Sequence, residues 1–561
     1  MKQLSIIVLT SILLNANLFA QQKPSIIPQP AQMEMGDGYF QLDKQTSLKY
    51  SAADPQVKSV MQYFTNRVKE LSGIALQQNV QAAKLISFTL DKNSSASSEG
   101  YSLDVKQKSI DVKAADSKGF FYAIQSLLQT FPQVRTNAIL QVPCMKIKDE
   151  PSFKWRGMML DVSRHFAPIE TVKEYIDLMA MYKLNTLHWH LTDDPGWRIE
   201  IKKYPKLTQV GAWRVDQNDK VWGSRPQAQP GETPTYGGFY TQDELKEIVN
   251  YAQLRNVTIV PEIEMPGHSA AAVASYPWLS CKQIPQLPMT GGNYTNMASN
   301  YCAGNDSVFT FLQDVLKEVI AIFPSTYIHV GGDEVDKGPW KQCAKCQARM
   351  KKEGLKTEEE LQSYLITRIE KFINGQKRRM IGWDEILEGG LAPEATVMSW
   401  RGEAGGIEAA KMNHTVVMTP GTPLYFDHYQ AGPEGEPLAF GGFNTLKMVY
   451  DYNAYPKELP VEKQKFVLGA QANLWTEMIS TRAGIEYMVL PRMLALGETL
   501  WTPAEKKSWL DFSQRIKYHY RAFDYKGYNY SKGNFAVDIN PVSKDGALSV
   551  ELKLELSLIH I

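Results

Sequence analysis

At 561 residues the chain is too long for one ordinary domain, and length alone allows roughly two to four. With 43% hydrophobic and 22% charged residues it has ample apolar material for a large core and the balance of a globular protein. Lys plus Arg number 61 against 60 Asp plus Glu, so no global field favours nucleic acid or an anionic membrane, and any ligand is neutral or is read by local groups.

The N-terminus reads as a secretory leader over residues 1–20. Lys2 supplies the positive start, Leu4 to Leu14 is a largely apolar run, and Ala20 stands as the cleavage residue before Gln21 and Gln22. The run is short for a bilayer, and no later segment is long and apolar enough to cross one. The expected location is therefore periplasmic or extracellular, with no membrane span.

Residues 23–150 read as a small α/β domain. Leu85–Leu90 and Ser109–Val112 alternate apolar and polar residues as strands do. Pro55–Leu71 is predicted helical, with Val57, Val60, Met61, Phe64, Val68 and Leu71 near one face. Asp116–Phe131 opens with an Asp cap and carries Phe120, Ala123, Ile124, Leu127 and Leu128. No polar cluster in this part suggests chemistry.

From 153 to 505 the pattern changes. Short, nearly continuous apolar runs recur at Arg156–Leu160, Thr186–Leu191, Val257–Ile263, Tyr327–Gly331, Met380–Trp383, Thr396–Trp400, Thr415–Met418 and Leu468–Leu474. Helical periodicity lies between several of them, at Ile169–Tyr182, Gln242–Leu254, Val308–Ile322 and Thr357–Ile373. Strands buried on both faces read this way, and eight strand-helix alternations predict a (β/α)8 TIM barrel as the catalytic domain, preceded by the small α/β domain. Residues 506–545 read as an extension packing on the barrel. The tail Ala547–Ile561 alternates like a strand, and 546–561 reads as the start of a truncated β-domain or a strand that pairs elsewhere.

Catalytic groups of such barrels project from the C-terminal ends of the strands. The eight runs are followed in turn by Asp161 with Arg164 and His165; His188, His190, Asp193 and Asp194; Glu262, Glu264 and His268; Asp333 and Glu334; Trp383, Asp384 and Glu385; Trp400 and Arg401; Tyr425 and Asp427; and Trp475 and Glu477. Acids, indoles, an arginine and histidines thus share one rim. Carboxylates without phosphate-binding glycine loops point to glycoside cleavage, and an apolar wall with few polar groups suits a neutral sugar ring. Asp333 and Glu334 are adjacent, so both can enter one site only where the strand gives way to its loop. Two nearby carboxyls resist joint ionisation, which favours a protonated acid beside an ionised partner.

At these residues the chain resembles glycoside hydrolase family 20, the β-N-acetylhexosaminidases. His329-Val-Gly-Gly-Asp-Glu334 is the most specific motif. Leu160-Asp-Val-Ser-Arg-His165, His190-Leu-Thr-Asp-Asp-Pro-Gly-Trp197, Pro261-Glu-Ile-Glu-Met-Pro-Gly-His268 and Leu474-Trp-Thr-Glu477 support it independently, and the likeness covers roughly residues 25 to 520. The resemblance implies exo-acting, retaining removal of terminal β-linked N-acetylhexosamine (GlcNAc or GalNAc), with the substrate's own acetamido oxygen as nucleophile. It implies Glu334 as general acid then base, Asp333 as the group orienting the acetamido, Tyr425 as donor to the acetamido oxygen, and Asp193 with His268 as a polar chain tuning Glu334. Trp383, Trp400 and Trp475 would wall the pocket, while Arg164, Asp427 and Glu477 would bind the hydroxyls at its far end. Glu264 departs from the Asp that family members often carry there, and is given a supporting role.

The expected partner is a carbohydrate, with no nucleic acid, cofactor or metal. His190, Asp193 and His268 could be read as metal ligands, but the acids are better explained as sugar and proton-transfer groups, and His188 and His190 as hydrogen-bonded core residues. Among the five cysteines, Cys281 and Cys302 are the expected disulfide and Cys144 is odd; Cys343 and Cys346 form a C-x-x-C unit whose zinc or redox reading lacks a second pair at ligand spacing, so a local disulfide or plain thiols are expected there. A non-catalytic sugar binder and a glycosidase with a covalent carboxylate nucleophile remain as other classes.

Overall fold

The computed structural model describes residues 23–136, 139–229, 231–432, 434–544 and 547–554, with side chains described up to residue 537. The segment read as a secretory leader lies outside the described residues, as do residues 555–561 of the tail. No helix among the described residues is long and apolar enough to cross a membrane.

The N-terminal part is a seven-stranded mixed sheet, in the order Gln32–Leu42, Leu140–Asp149, Tyr101–Val105, Ser109–Ala114, Lys84–Leu90, Thr46–Lys49 and Gln77–Gln78. Helices Pro55–Ser72 and Ser117–Leu128 are each started by an aspartate, Asp54 and Asp116, whose carboxylate accepts a backbone N–H of the first turn. Their apolar faces meet the sheet through Phe64, Phe88 and Phe120, whose rings pack edge to face at 6.0 and 5.3 Å.

The rest is a closed barrel of eight parallel strands: Trp155–Asp161, Thr186–His190, Thr258–Glu262, Tyr327–His329, Arg379–Trp383, Thr396–Ser399, Val416–Met418 and Val467–Leu474. Each pairs with its sequence neighbour, and the last pairs with the first. Every predicted apolar run lies on one of them. The first two strands are buried throughout, which is why they read as continuous hydrophobic runs. Trp155, Val260, Ile381, Trp383, Met398 and Val417 fill a cluster inside the barrel, with Trp383 at the end of its strand and so at the rim.

Buried ions lock the two parts together. Arg156 at the start of the first barrel strand reaches Glu99 at 2.9 and 3.0 Å. Lys183 Nζ meets Asp149 Oδ2 at 2.9 Å with both side chains fully buried, and Trp501 Nε1 donates to Asp149 Oδ1 at 2.9 Å. Helix Trp509–Lys526 crosses the seam: Arg515 pairs with Glu498 at 2.7 Å and donates to the Ile26 carbonyl, and Tyr518 donates to the Phe131 carbonyl. The tail strand does find a partner, because Ala547–Leu554 pairs antiparallel with Val537–Lys544 as a hairpin.

Candidate active site

The fourth barrel strand ends at His329, and the backbone then leaves the extended region. Gly331, Gly332 and Glu334 have φ of 68°, 102° and 49°. A strand would send adjacent side chains to opposite faces. This left-handed stretch instead brings Asp333 and Glu334 to one cavity. Gly331 is required twice over, because a Cβ there would also sit 1.7 Å from Glu264 Oε2.

His268, on the loop after the third strand, joins the two carboxyls. Its Nε2 lies 3.5 Å from Asp333 Oδ2 and 3.5 Å from Glu334 Oε2. Its Nδ1 lies 3.1 Å from Asp194 Oδ2 and 3.3 Å from Asp193 Oδ1. The expected chain through Asp193 is therefore shared with Asp194, which also accepts the Ala270 N–H at 2.8 Å and so anchors the loop behind His268. Asp193 in turn takes Arg164 Nη2 and His190 Nε2, each at 2.8 Å.

The cavity they open into holds about 290 Å³. Trp383, Trp400, Tyr425 and Trp475 form its aromatic wall: Trp400 stacks on Tyr425 at 6.1 Å and 17°, and Trp475 lies 5.8 Å from Trp383. Arg164, Asp427 and Glu477 share the same lining, with the guanidinium 4.8 Å from the Trp475 ring centroid. Asp427 Oδ1 and Glu477 Oε2 are buried with no protein partner, and both residues belong to that lining. Of the residues singled out in the sequence, Arg164, His268, Asp333, Glu334, Trp383, Trp400, Tyr425, Asp427, Trp475 and Glu477 line the cavity, while Asp193 and Glu264 lie behind it.

The model of the glycosyl hydrolase family 20 catalytic domain matches residues 153–504, and that of the family's domain 2 matches residues 23–150. The chain belongs to glycosyl hydrolase family 20. A β-hexosaminidase of Porphyromonas gingivalis is 46% identical over 515 residues, which is 90% of this chain and 64% of that protein. The family 20 chain thus spans a little under two thirds of that relative's length. The solved structure of an exo β-N-acetylglucosaminidase from Vibrio harveyi, in complex with N-acetylglucosamine, is 32% identical with a TM-score of 0.79, covering 91% of this chain and 78% of that one. A β-N-acetylhexosaminidase from Bacteroides fragilis is 33% identical with a TM-score of 0.76, covering 90% and 96%.

The electrostatics of this family 20 site separate its two carboxyls. Burial lifts Asp333 to about 6, against the pull of His268. Hydrogen bonding to His268 holds Glu334 below the ordinary glutamate value, and its side chain is 60% exposed at the mouth. Burial works against a charged His268, but Asp193, Tyr294 and Asp333 outweigh it and hold the imidazolium well above the usual range. Burial would also lift Asp193, but Arg164 and His268 outweigh it and keep it ionised.

Several rim acids have roles that the sequence did not assign them. Glu262, fully buried, lies 2.9 Å from His188 Nε2 and 2.7 Å from His329 Nδ1, and is hydrogen-bonded to His190 Nδ1 and to the Trp383 indole N–H, the latter at 2.9 Å. It therefore sets the position of one wall tryptophan. Glu385 does the same for Trp400, accepting its indole N–H at 2.9 Å, while Asp384 pairs with Arg401 at 3.0 Å. Glu264 has no hydrogen-bond partner on either oxygen, and burial with the neighbouring Asp333 and Glu262 charges pushes its pKa well above the carboxylate range. It fills the space that a side chain at Gly331 would need.

Proposed function

We propose that this chain hydrolyses terminal, non-reducing β-linked N-acetylhexosaminides, releasing one sugar with retention. The reading rests on one observation above the rest: an exposed Glu334 and a buried Asp333 share one aromatic-walled cavity and one imidazole. The acetamido oxygen attacks C1 as the bond to the leaving oxygen breaks, and Glu334 gives that oxygen its proton. Asp333 accepts the acetamido N–H and balances the positive charge of the oxazolinium ring, while the Tyr425 hydroxyl donates to the attacking oxygen. Glu334 then takes a proton from water, which opens that ring from the side the aglycone left. Two inversions at C1 retain its configuration, one of the recognised departures from the two-carboxylate scheme. The unpaired carboxyl oxygens of Asp427 and Glu477, with Arg164 beside them, suit the hydroxyls of a terminal sugar and favour exo action. Export to the periplasm or beyond is part of the same proposal, supported by the leader-like residues 1–20.

The test is turnover of aryl and alkyl β-N-acetylglucosaminides. Glu334→Gln is expected to lose about 10²–10⁴-fold in kcat on poor leaving groups and much less in the first step on nitrophenol. Asp333→Asn is expected to lose about 10²–10³-fold on both. Unchanged rates in the two variants, or faster cleavage of simple glucosides than of N-acetyl ones, would overturn the reading.

A further inference from the structure

Four of the five cysteines, far apart in sequence, converge at one point outside the catalytic cavity. Cys281 and Cys302 come from the connection after the third barrel strand, and Cys343 and Cys346 from the connection after the fourth, Cys346 in helix Ala344–Glu353. The disulfide expected between Cys281 and Cys302 is not formed; all the cysteines are free thiols. Their sulfurs all lie within 4.8 Å of one another, with Cys281 to Cys346 at 3.6 Å and Cys302 to both Cys343 and Cys346 at 3.7 Å.

Those distances carry chemical information. Four thiolates about 2.3 Å from a central zinc ion stand about 3.8 Å from each other along the edges of the tetrahedron. Two disulfides would each bring one pair to about 2.05 Å and separate the pairs. Here Cys302 is as close to Cys343 as to Cys346, so no pairing is singled out. Cys302 and Cys346 are buried and the other two half-buried, as in a closed structural site. Gly304 can be nothing larger, because a Cβ there would lie 2.2 Å from the Lys345 carbonyl carbon.

The geometry points to a structural zinc site formed by Cys281, Cys302, Cys343 and Cys346. Binding releases the four thiol protons to solvent and involves no change of oxidation state. The site ties the connection that carries His268 to the connection that carries Asp333 and Glu334. The same two connections are also joined by Trp340 Nε1 donating to the Tyr301 carbonyl and by the Asn300 amide on the Asp336 carbonyl. The ion is therefore a clamp on residues that meet at the cavity without touching the substrate.

The experiment uses the full chain, purified without chelator from zinc-supplemented cells. Elemental mass spectrometry is expected to find about one zinc per chain, and alkylation in denaturant with chelator is expected to label all five cysteines. Cys302→Ser and Cys343→Ser should each lose the zinc, whereas Glu334→Gln should keep it, which separates this site from the proposed activity. Should a serine variant fail to fold, cobalt substitution of the unaltered chain must still give a tetrahedral thiolate spectrum. Alkylation of Cys144 alone, four free thiols without metal, or iron in place of zinc would each overturn the assignment.

Discussion

At the residue scale the decisive feature is which carboxyl owns the proton. In the cavity the higher pKa belongs to Asp333, near 6, and the lower to Glu334. The proposed chemistry needs the reverse, an ionised Asp333 and a protonated Glu334. Between the two values the pair holds one proton, which sits mainly on Asp333 until a sugar binds. An acetamido N–H then favours ionised Asp333, and an aglycone that covers the exposed Glu334 raises its pKa. It follows that kcat/KM, which reports the free enzyme, should fall as pH rises through about 6, where the second proton leaves the pair. It should also fall at low pH, once both groups are protonated. The alkaline limb of kcat, which reports the complex, should lie at higher pH than that of kcat/KM. Coincident alkaline limbs in the two pH-rate profiles would count against this transfer of the proton. The roles of Glu334 and Asp333 could be read from their motif, but the order of their pKa values could not, because it depends on burial and on the His268 imidazolium between them.

At the element scale the fourth strand and its loop do the positioning. Gly331 is held at φ 68° against Glu264, so Gly331→Ala combines backbone strain with a collision. The variant is expected to lose about 1–3 kcal/mol of stability and at least as large a share of kcat as a direct change to Asp333, seen by thermal melting and by turnover in parallel. Wild-type melting and turnover would show that the loop does not need this conformation. The double glycine was visible as part of a motif, but its cause was not. Glu264 comes from the neighbouring strand's loop, and only the closed sheet puts it under Gly331. The same holds for Glu262, which the sequence shows as one rim acid among several. Its three histidines come from two other strands, so its role as a hub for Trp383 appears only when the barrel closes.

At the scale of the whole molecule, the seven-stranded sheet and the barrel are joined by buried charges rather than by apolar contact alone. Asp149 receives Lys183, Trp501 and Tyr101 at 2.9, 2.9 and 2.7 Å. Removing one member of a buried pair leaves the other charge stranded, at a cost of about 3–5 kcal/mol. Lys183→Met is therefore expected to lower the urea midpoint of the full chain, and the double variant Lys183→Met/Asp149→Asn is expected to recover part of the loss. A single variant as stable as the parent would show that the pair does not hold the two parts together.

By itself the sequence determined the periodic and the local. Eight runs of buried strand residues announce a barrel because a strand covered on both faces must be apolar throughout, and the residues just past each run announce a rim because that is where backbone leaves the sheet. Only the tertiary structure decided what depends on groups distant in the chain. It brought Asp194 as well as Asp193 to His268, gave Asp333 the higher pKa, and gathered four cysteines from two connections into one cluster. Charge, burial and ligand geometry act through space over a few ångströms, and no spacing along the chain encodes which distant residues come that close.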